Sequence, residues 1–151
     1  MDRLAVLRRS ELFADLDDKE LRIVEAMMEP KQVAPGALIC KQGKVEENIY
    51  IVEDGAVAIV LEVGPMSQRQ VQAACNYETF GWSALVEPCI CTASVKATEK
   101  TKLLAFSADN LKSLCKSRPD VGCKIYHAVA QVVAKRLRQA YVQLVGVTIE
   151  D

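Results

Sequence analysis

Few residues in this chain have both the type and the spacing that chemistry demands. The one histidine, His127, lies in a helical pattern with no acid or nucleophile at helical spacing, so it reads as an exposed helix position and not as a base. Gly36 and Gly43-Lys44 suggest a phosphate loop, but six residues separate the glycines instead of four. Val45 also replaces the Ser or Thr that would hold magnesium. There is no glycine-rich dinucleotide fingerprint. Six cysteines (Cys40, Cys75, Cys89, Cys91, Cys115 and Cys123) are scattered without a C-x-x-C pair. A chain of this size does not need disulfides, so most are expected to be reduced core thiols. An iron–sulfur, haem or other redox-sensing role would draw on Cys75, Cys89, Cys91 and His127. Cys89 and Cys91, two apart in one strand, would point the same way. No enzyme, no metal and no cofactor are expected.

The bulk properties narrow the partners. The chain has 151 residues, 50% hydrophobic and 26% charged, with a net charge of −1, which suits one soluble domain over residues 1–151. Nucleic acid, which needs a concentrated basic face, is not an expected partner. Nor is a membrane: the longest apolar run, Ala56–Leu61, is far too short to span one. The first residues lack a signal-peptide core, so a cytoplasmic location is expected.

Three stretches must position whatever site exists. Residues 1–30 read as helical: Asp17 with Glu20 forms a capping box, Leu21, Val24 and Met28 make an apolar stripe beside Ile23 and Met27, and Pro30 ends it. Residues 32–106 read as strands between turns. Pro35-Gly36 is a turn and Leu38–Lys41 a strand. Ile49–Val52 is a compact β-prone run, Asp54-Gly55 a hairpin signal, and Ala56–Val63 the next strand. Gly64–Gln70 reads as an exposed hairpin loop before a strand at Val71–Ala74. Alternation at Ala93, Val95 and Ala97 and the run Thr101–Phe106 complete an antiparallel barrel or jelly roll.

Residues 107–147 return to helix. Ser107–Lys116 is followed at Pro119 by a helix to about Val145, roughly 40 Å long. On it Tyr126, Ala130, Val133, Leu137, Ala140, Leu144 and Val147 fall at steps of four and three, a heptad seam, with Ile125, Val129 and Val132 as a second stripe. A small barrel does not cover so wide an apolar surface, so the seam is expected to pair with a second copy in a homodimer. Lys124, Gln131, Lys135 and Arg138 mark the wetter face, and Lys135-Arg136-Leu137-Arg138 reads as a solvated edge.

This order of elements, with Leu12–Leu16 like a leading helix and Val33–Gly43, Ile49–Gly55 and Ala56–Val60 like first strands with their glycines in register, resembles the cyclic nucleotide-binding domain family. That family is known from kinase A regulatory subunits, cyclic nucleotide-gated channels and catabolite-activator-type (Crp/Fnr-like) regulators. The resemblance covers nearly the whole chain. It implies a mainly β double-stranded β-helix (jelly roll) with N-terminal helices and a long C-terminal helix, a role in signal transduction, and a nucleotide-like small-molecule ligand. DNA-binding regulators of the family carry a further domain after the long helix; with the chain ending at Asp151, none is expected here.

The resemblance also locates a phosphate-binding cassette at Phe80, Gly81, Trp82, Ser83, Ala84, Cys91, Thr92 and Ala93. In the family glycine admits the ligand, a short helix offers N–H groups to the phosphate, an Arg pairs with it, and a Glu accepts from the ribose hydroxyl. Here Trp82 stands at the Glu position and Cys91 at the Arg position, while Thr92 keeps a hydroxyl. Losing both charged groups removes about 3–6 kcal/mol, enough to turn a micromolar binder millimolar. Three readings stay open. Trp82 fills the pocket and leaves an interaction module; a less anionic ligand binds, stacked on Trp82 and hydrogen-bonded by Ser83 or Thr92; or a cyclic nucleotide still binds, weakly or with a base from elsewhere.

Overall fold

The computed structural model describes residues 2–146. Helices α1 (Arg3–Arg9) and α2 (Asp18–Glu25) precede eight strands: β1 (Glu29–Val33), β2 (Leu38–Cys40), β3 (Asn48–Asp54), β4 (Ala56–Gly64), β5 (Ser67–Cys75), β6 (Thr79–Phe80), β7 (Ser94–Ala97) and β8 (Thr101–Ser107). Helices α3 (Ala108–Ser117) and α4 (Pro119–Val145) follow. The strands pair antiparallel in two four-stranded sheets, ordered β1-β8-β3-β6 and β2-β7-β4-β5. This is the expected mainly β jelly roll with flanking helices.

Local chemistry accounts for most boundaries. Asp17 caps α2 by accepting from Glu20 N–H while the Glu20 carboxylate accepts from Asp17 N–H. The run Ile49–Val52 is apolar throughout because β3 is buried on both faces. Ile49 and Ile51 face a core shared with the helices, whereas Tyr50 and Val52 face the core between the sheets. Leu104 and Phe106 of β8 likewise face the helices, and Leu103 and Ala105 the barrel. Phe13 meets Phe106 edge-on at 5.0 Å in the helix-side core.

Several expectations need correction. Leu12–Leu16 forms turns, not a helix, although Leu12, Phe13 and Leu16 are buried. Helix α2 stops at Glu25, and Pro30 lies inside β1, an edge strand where a missing N–H costs no ladder bond. Asp54-Gly55 closes no hairpin: β3 and β4 belong to different sheets, and the pair turns the chain from one to the other. Gly55 has φ +120°, and a Cβ there would stand 2.6 Å from Thr101 Oγ1. The hairpin expected around Gly64–Gln70 is present as β4 paired with β5, but its loop is shorter than expected, since β5 begins at Ser67. Its polar first half lacks alternation because both of its faces are wet. Of the six cysteines only Cys40 and Cys91 are buried, and Cys75 and Cys123 are exposed.

Helix α4 lies along the open edge of β5. Gln143 donates to Val71 O, Arg136 Nη1 donates to Ala73 O at 3.0 Å, and Gln72 Nε2 donates to Arg136 O at 2.9 Å. Val71 and Ala73, two apart, direct their carbonyls to the same side of the strand, so the helix satisfies an edge that would otherwise be open to pairing.

Candidate functional site

The cassette begins where β6 ends. Phe80 is buried and stacks on Tyr50 at 5.0 Å. Gly81 has φ +80°, and a Cβ would press to 3.0 Å from Asn48 O, so glycine is required where the chain enters the 3-10 turn Trp82–Leu85. Phe80, Gly81, Trp82, Ser83, Cys91, Thr92 and Ala93 all border a cavity of about 590 Å³, a volume typical of small-molecule sites. Ala84 does not border it and instead packs into the helix-side core. Trp82 is half-buried: it packs on that same core and forms part of the cavity wall without filling the space.

Sequence reasoning missed the charge at this site. Arg69 of β5, exposed at the rim, and Arg136 of α4 both border the cavity. Arg136 was expected on a solvated edge but is only 6% exposed. Its Nη1 donates to Ala73 O and its Nη2 to Thr79 O at 3.2 Å, which ties α4 to the strand that leads into the cassette. Among the described residues no carboxylate forms an ion pair with it. The seven-residue stripe hinted at one exposed face, but nothing in a linear pattern says that the guanidinium beside Leu137 turns inward. Lys135 is not on a free edge either, pairing with Glu11 and with Glu78 at 2.9 Å. Burial pulls the Glu78 carboxyl up, but hydrogen bonds from the Cys75 thiol and Lys135 outweigh it and hold the group at about 2.

The seam of α4 divides along its length. Tyr126, Ala130, Leu137, Ala140 and Leu144 are exposed and Val133 is half-buried, while Ile125, Val129 and Val132 are buried against the rest of the chain. Val133, Leu137, Ala140 and Leu144 also border the cavity, so the seam and the cavity mouth share residues. Val147 lies outside the described residues.

The sensor set proposed from spacing does not assemble. Cys89 and Cys91 are not in one strand: Cys89 sits at φ +64° with its thiol donating to Ala84 O, and Cys91 turns its thiol toward Glu46. Cys75 is bound to Glu78, and His127 is exposed on α4. Burial, with the Glu46 carboxylate beside them, pushes the Cys40 and Cys91 thiols up.

A family model for the cyclic nucleotide-binding domain matches residues 30–118, more than half of the chain. The chain belongs to the cyclic nucleotide-binding domain family. It is 26% identical to a cyclic AMP receptor protein of Thermus thermophilus over 96% of this chain and 65% of that protein. It is 24% identical to a putative potassium channel protein of Rhodopseudomonas palustris, over 94% of this chain and 34% of the channel. The chain thus spans about a third and about two thirds of the length of these relatives. Among solved structures, a putative cyclic nucleotide-binding protein from Geobacter metallireducens superposes with a TM-score of 0.79 at 24% identity, covering 91% of this chain and 99% of that one. The Thermus thermophilus catabolite activator protein gives 0.75 at 27% identity, covering 89% and 62%. Among the described residues no helix is long and apolar enough to cross a membrane.

Proposed function

We propose that this chain is a cytoplasmic, non-enzymatic regulatory module whose cavity takes a nucleotide-like anion held from the helix side, with α4 relaying occupancy to a second copy. The observation that carries it is Arg136. A buried guanidinium whose partners are main-chain carbonyls retains its charge uncompensated, and an anionic ligand in the bordering cavity would supply the missing counter-charge. Arg69 at the rim adds long-range attraction. Trp82 offers a flat apolar surface for a base, and Ser83 and Thr92 offer hydroxyls. This reading is an atypical cyclic nucleotide site in which the base comes from α4 and β5 instead of the cassette.

The relay follows from the same residue. Arg136 joins α4 to β5 and to the cassette strand, so a ligand that competes for its donors, or adds to them, changes how the helix sits. That is a differential interaction of the kind a population shift needs. The apolar seam bordering the cavity mouth supports a homodimer in which the partner helix closes over the ligand.

Thermal unfolding with cyclic AMP, cyclic GMP, cyclic dinucleotides and the matching uncharged nucleosides tests this. At least one nucleotide should raise the midpoint and its nucleoside should not. Equal, absent shifts across the whole set would leave a closed or purely structural module.

A further inference from the structure

Behind the cassette wall, Cys40, Glu46 and Cys91 bring two sulfurs and a carboxylate oxygen within 4.8 Å of one another, all three residues buried. This is the one such group of three among the described residues, and it is not the set that sequence spacing suggested. We propose that it is a binding site for a divalent metal ion of the zinc class, with Cys40, Cys91 and Glu46 as ligands and the remaining coordination position on the cavity side.

The geometry is close to what such an ion requires. Metal–sulfur bonds of about 2.3 Å and metal–oxygen bonds of about 2.1 Å place tetrahedral ligands about 3.8 Å apart for two sulfurs and about 3.6 Å for sulfur and oxygen. Cys91 Sγ already lies 3.8 Å from Glu46 Oε2. No pair needs to close by more than about 1.2 Å, within reach of small side-chain rotations.

The backbone holds the three groups in place. Glu46 N–H donates to Cys89 O, Cys91 N–H donates to Lys44 O, and Val45 bridges Ile90, so Glu46 and Cys91 flank one paired contact. Cys40 sits on β2, opposite Val95 of β7. Glu46 Oε1 accepts from the N–H groups of Glu47 and Asn48, each at 3.0 Å. That fixes the carboxylate and leaves Oε2 turned to the sulfurs, the supporting shell metal ligands usually have. Cys40 and Cys91 both border the cavity, which gives the ion a path in and leaves three protein ligands with one open position, as in reactive zinc sites. Two soft thiolates with one carboxylate favour zinc, cobalt or a similar borderline ion over magnesium or calcium. On binding, the ion displaces the two thiol protons to solvent, and no oxidant or reductant is needed. A cation here stands at the cassette position where the family places its guanidinium, facing the space an anion would enter.

The test uses the full chain, reduced with a phosphine and titrated with cobalt(II) alone, then with zinc. The expected result is a thiolate-to-cobalt charge-transfer band with visible bands of a tetrahedral site, saturating at a single ion per chain and bleached by zinc. Cys91→Ser and Cys40→Ser should each abolish the charge-transfer intensity at matched protein folding, checked by circular dichroism. Glu46→Gln should weaken cobalt binding at least tenfold, and Cys89→Ser and Cys75→Ser should leave it unchanged. Absence of the band in the parent chain, or its loss in Cys89→Ser, overturns the assignment. Because the readout is the metal's own spectrum, failure here is separable from failure of nucleotide binding.

Discussion

The cassette wall of the cavity and the wall opposite it are built from different chemistry. The cassette contributes an indole, a glycine, two hydroxyls and a thiol whose ionisation burial suppresses; the helix and edge strand contribute two guanidiniums and the amides of Gln72 and Gln143. In their own side chains, one wall carries shape and the other carries charge. On the proposed reading, a site's electrostatics move to another element while its backbone geometry stays, because a ligand senses field and distance and not chain position. Within the charged wall, α4 is joined to β5 by side-chain hydrogen bonds and not by a strand ladder.

The sharpest way to break the comparison is Arg136→Leu. It removes two charge-assisted hydrogen bonds, one to exposed Ala73 and one to buried Thr79, and strands the latter, so chemical denaturation should show a loss of about 3 kcal/mol. Any nucleotide-induced thermal shift should vanish with it, while Arg136→Lys should recover part of both. Next, Trp82→Glu combined with Cys91→Arg moves charge back to the cassette. Calorimetry should then show cyclic AMP affinity rising at least about a hundredfold, from about 3–6 kcal/mol of restored interaction. No gain would mean that the cassette backbone does not present its donors as the family does.

Smaller effects sharpen the picture. Leu137→Lys with Leu144→Lys alters exposed seam residues, so sedimentation should show a monomer replacing a dimer, while the monomer's intrinsic stability changes by no more than about 0.5 kcal/mol. Arg69→Gln at the rim should weaken an anionic ligand only several-fold, about 1 kcal/mol, and the difference should shrink as salt rises. Least of all, acid should loosen the Glu78–Lys135 contact. The folded carboxyl sits at about 2, below its ordinary value, so its contribution is present above about pH 4.3 and lost as pH falls toward 2. Glu78→Gln should flatten the acid limb of the stability profile over that window.

Much of the fold was legible. The capping box at Asp17 and Glu20, the doubly buried run Ile49–Val52 and the helix from Pro119 to Val145 are set by short-range chemistry or a strong period, and each stands where the sequence indicates. The polar half of β5 and the two-residue β6 were not legible, since ladder hydrogen bonds to β4 and β3 make them strands without any pattern of their own. Asp54-Gly55 signalled a turn correctly and a hairpin wrongly, because a turn signal is local and strand partnership is not.

By itself the sequence determined the family's scaffold and, through the resemblance, where a cassette is expected with Trp82 and Cys91 in place of its two ionic groups, because these follow from residue identity along a continuous stretch. Only the tertiary structure decided that two guanidiniums border the cavity and which thiols meet. Arg136, and the trio Cys40, Glu46 and Cys91, come from segments that neither periodicity nor motif spacing connects. Their encounter depends on sheet order and on how α4 lies against β5, and such long-range packing is fixed only when the whole chain has closed on its core.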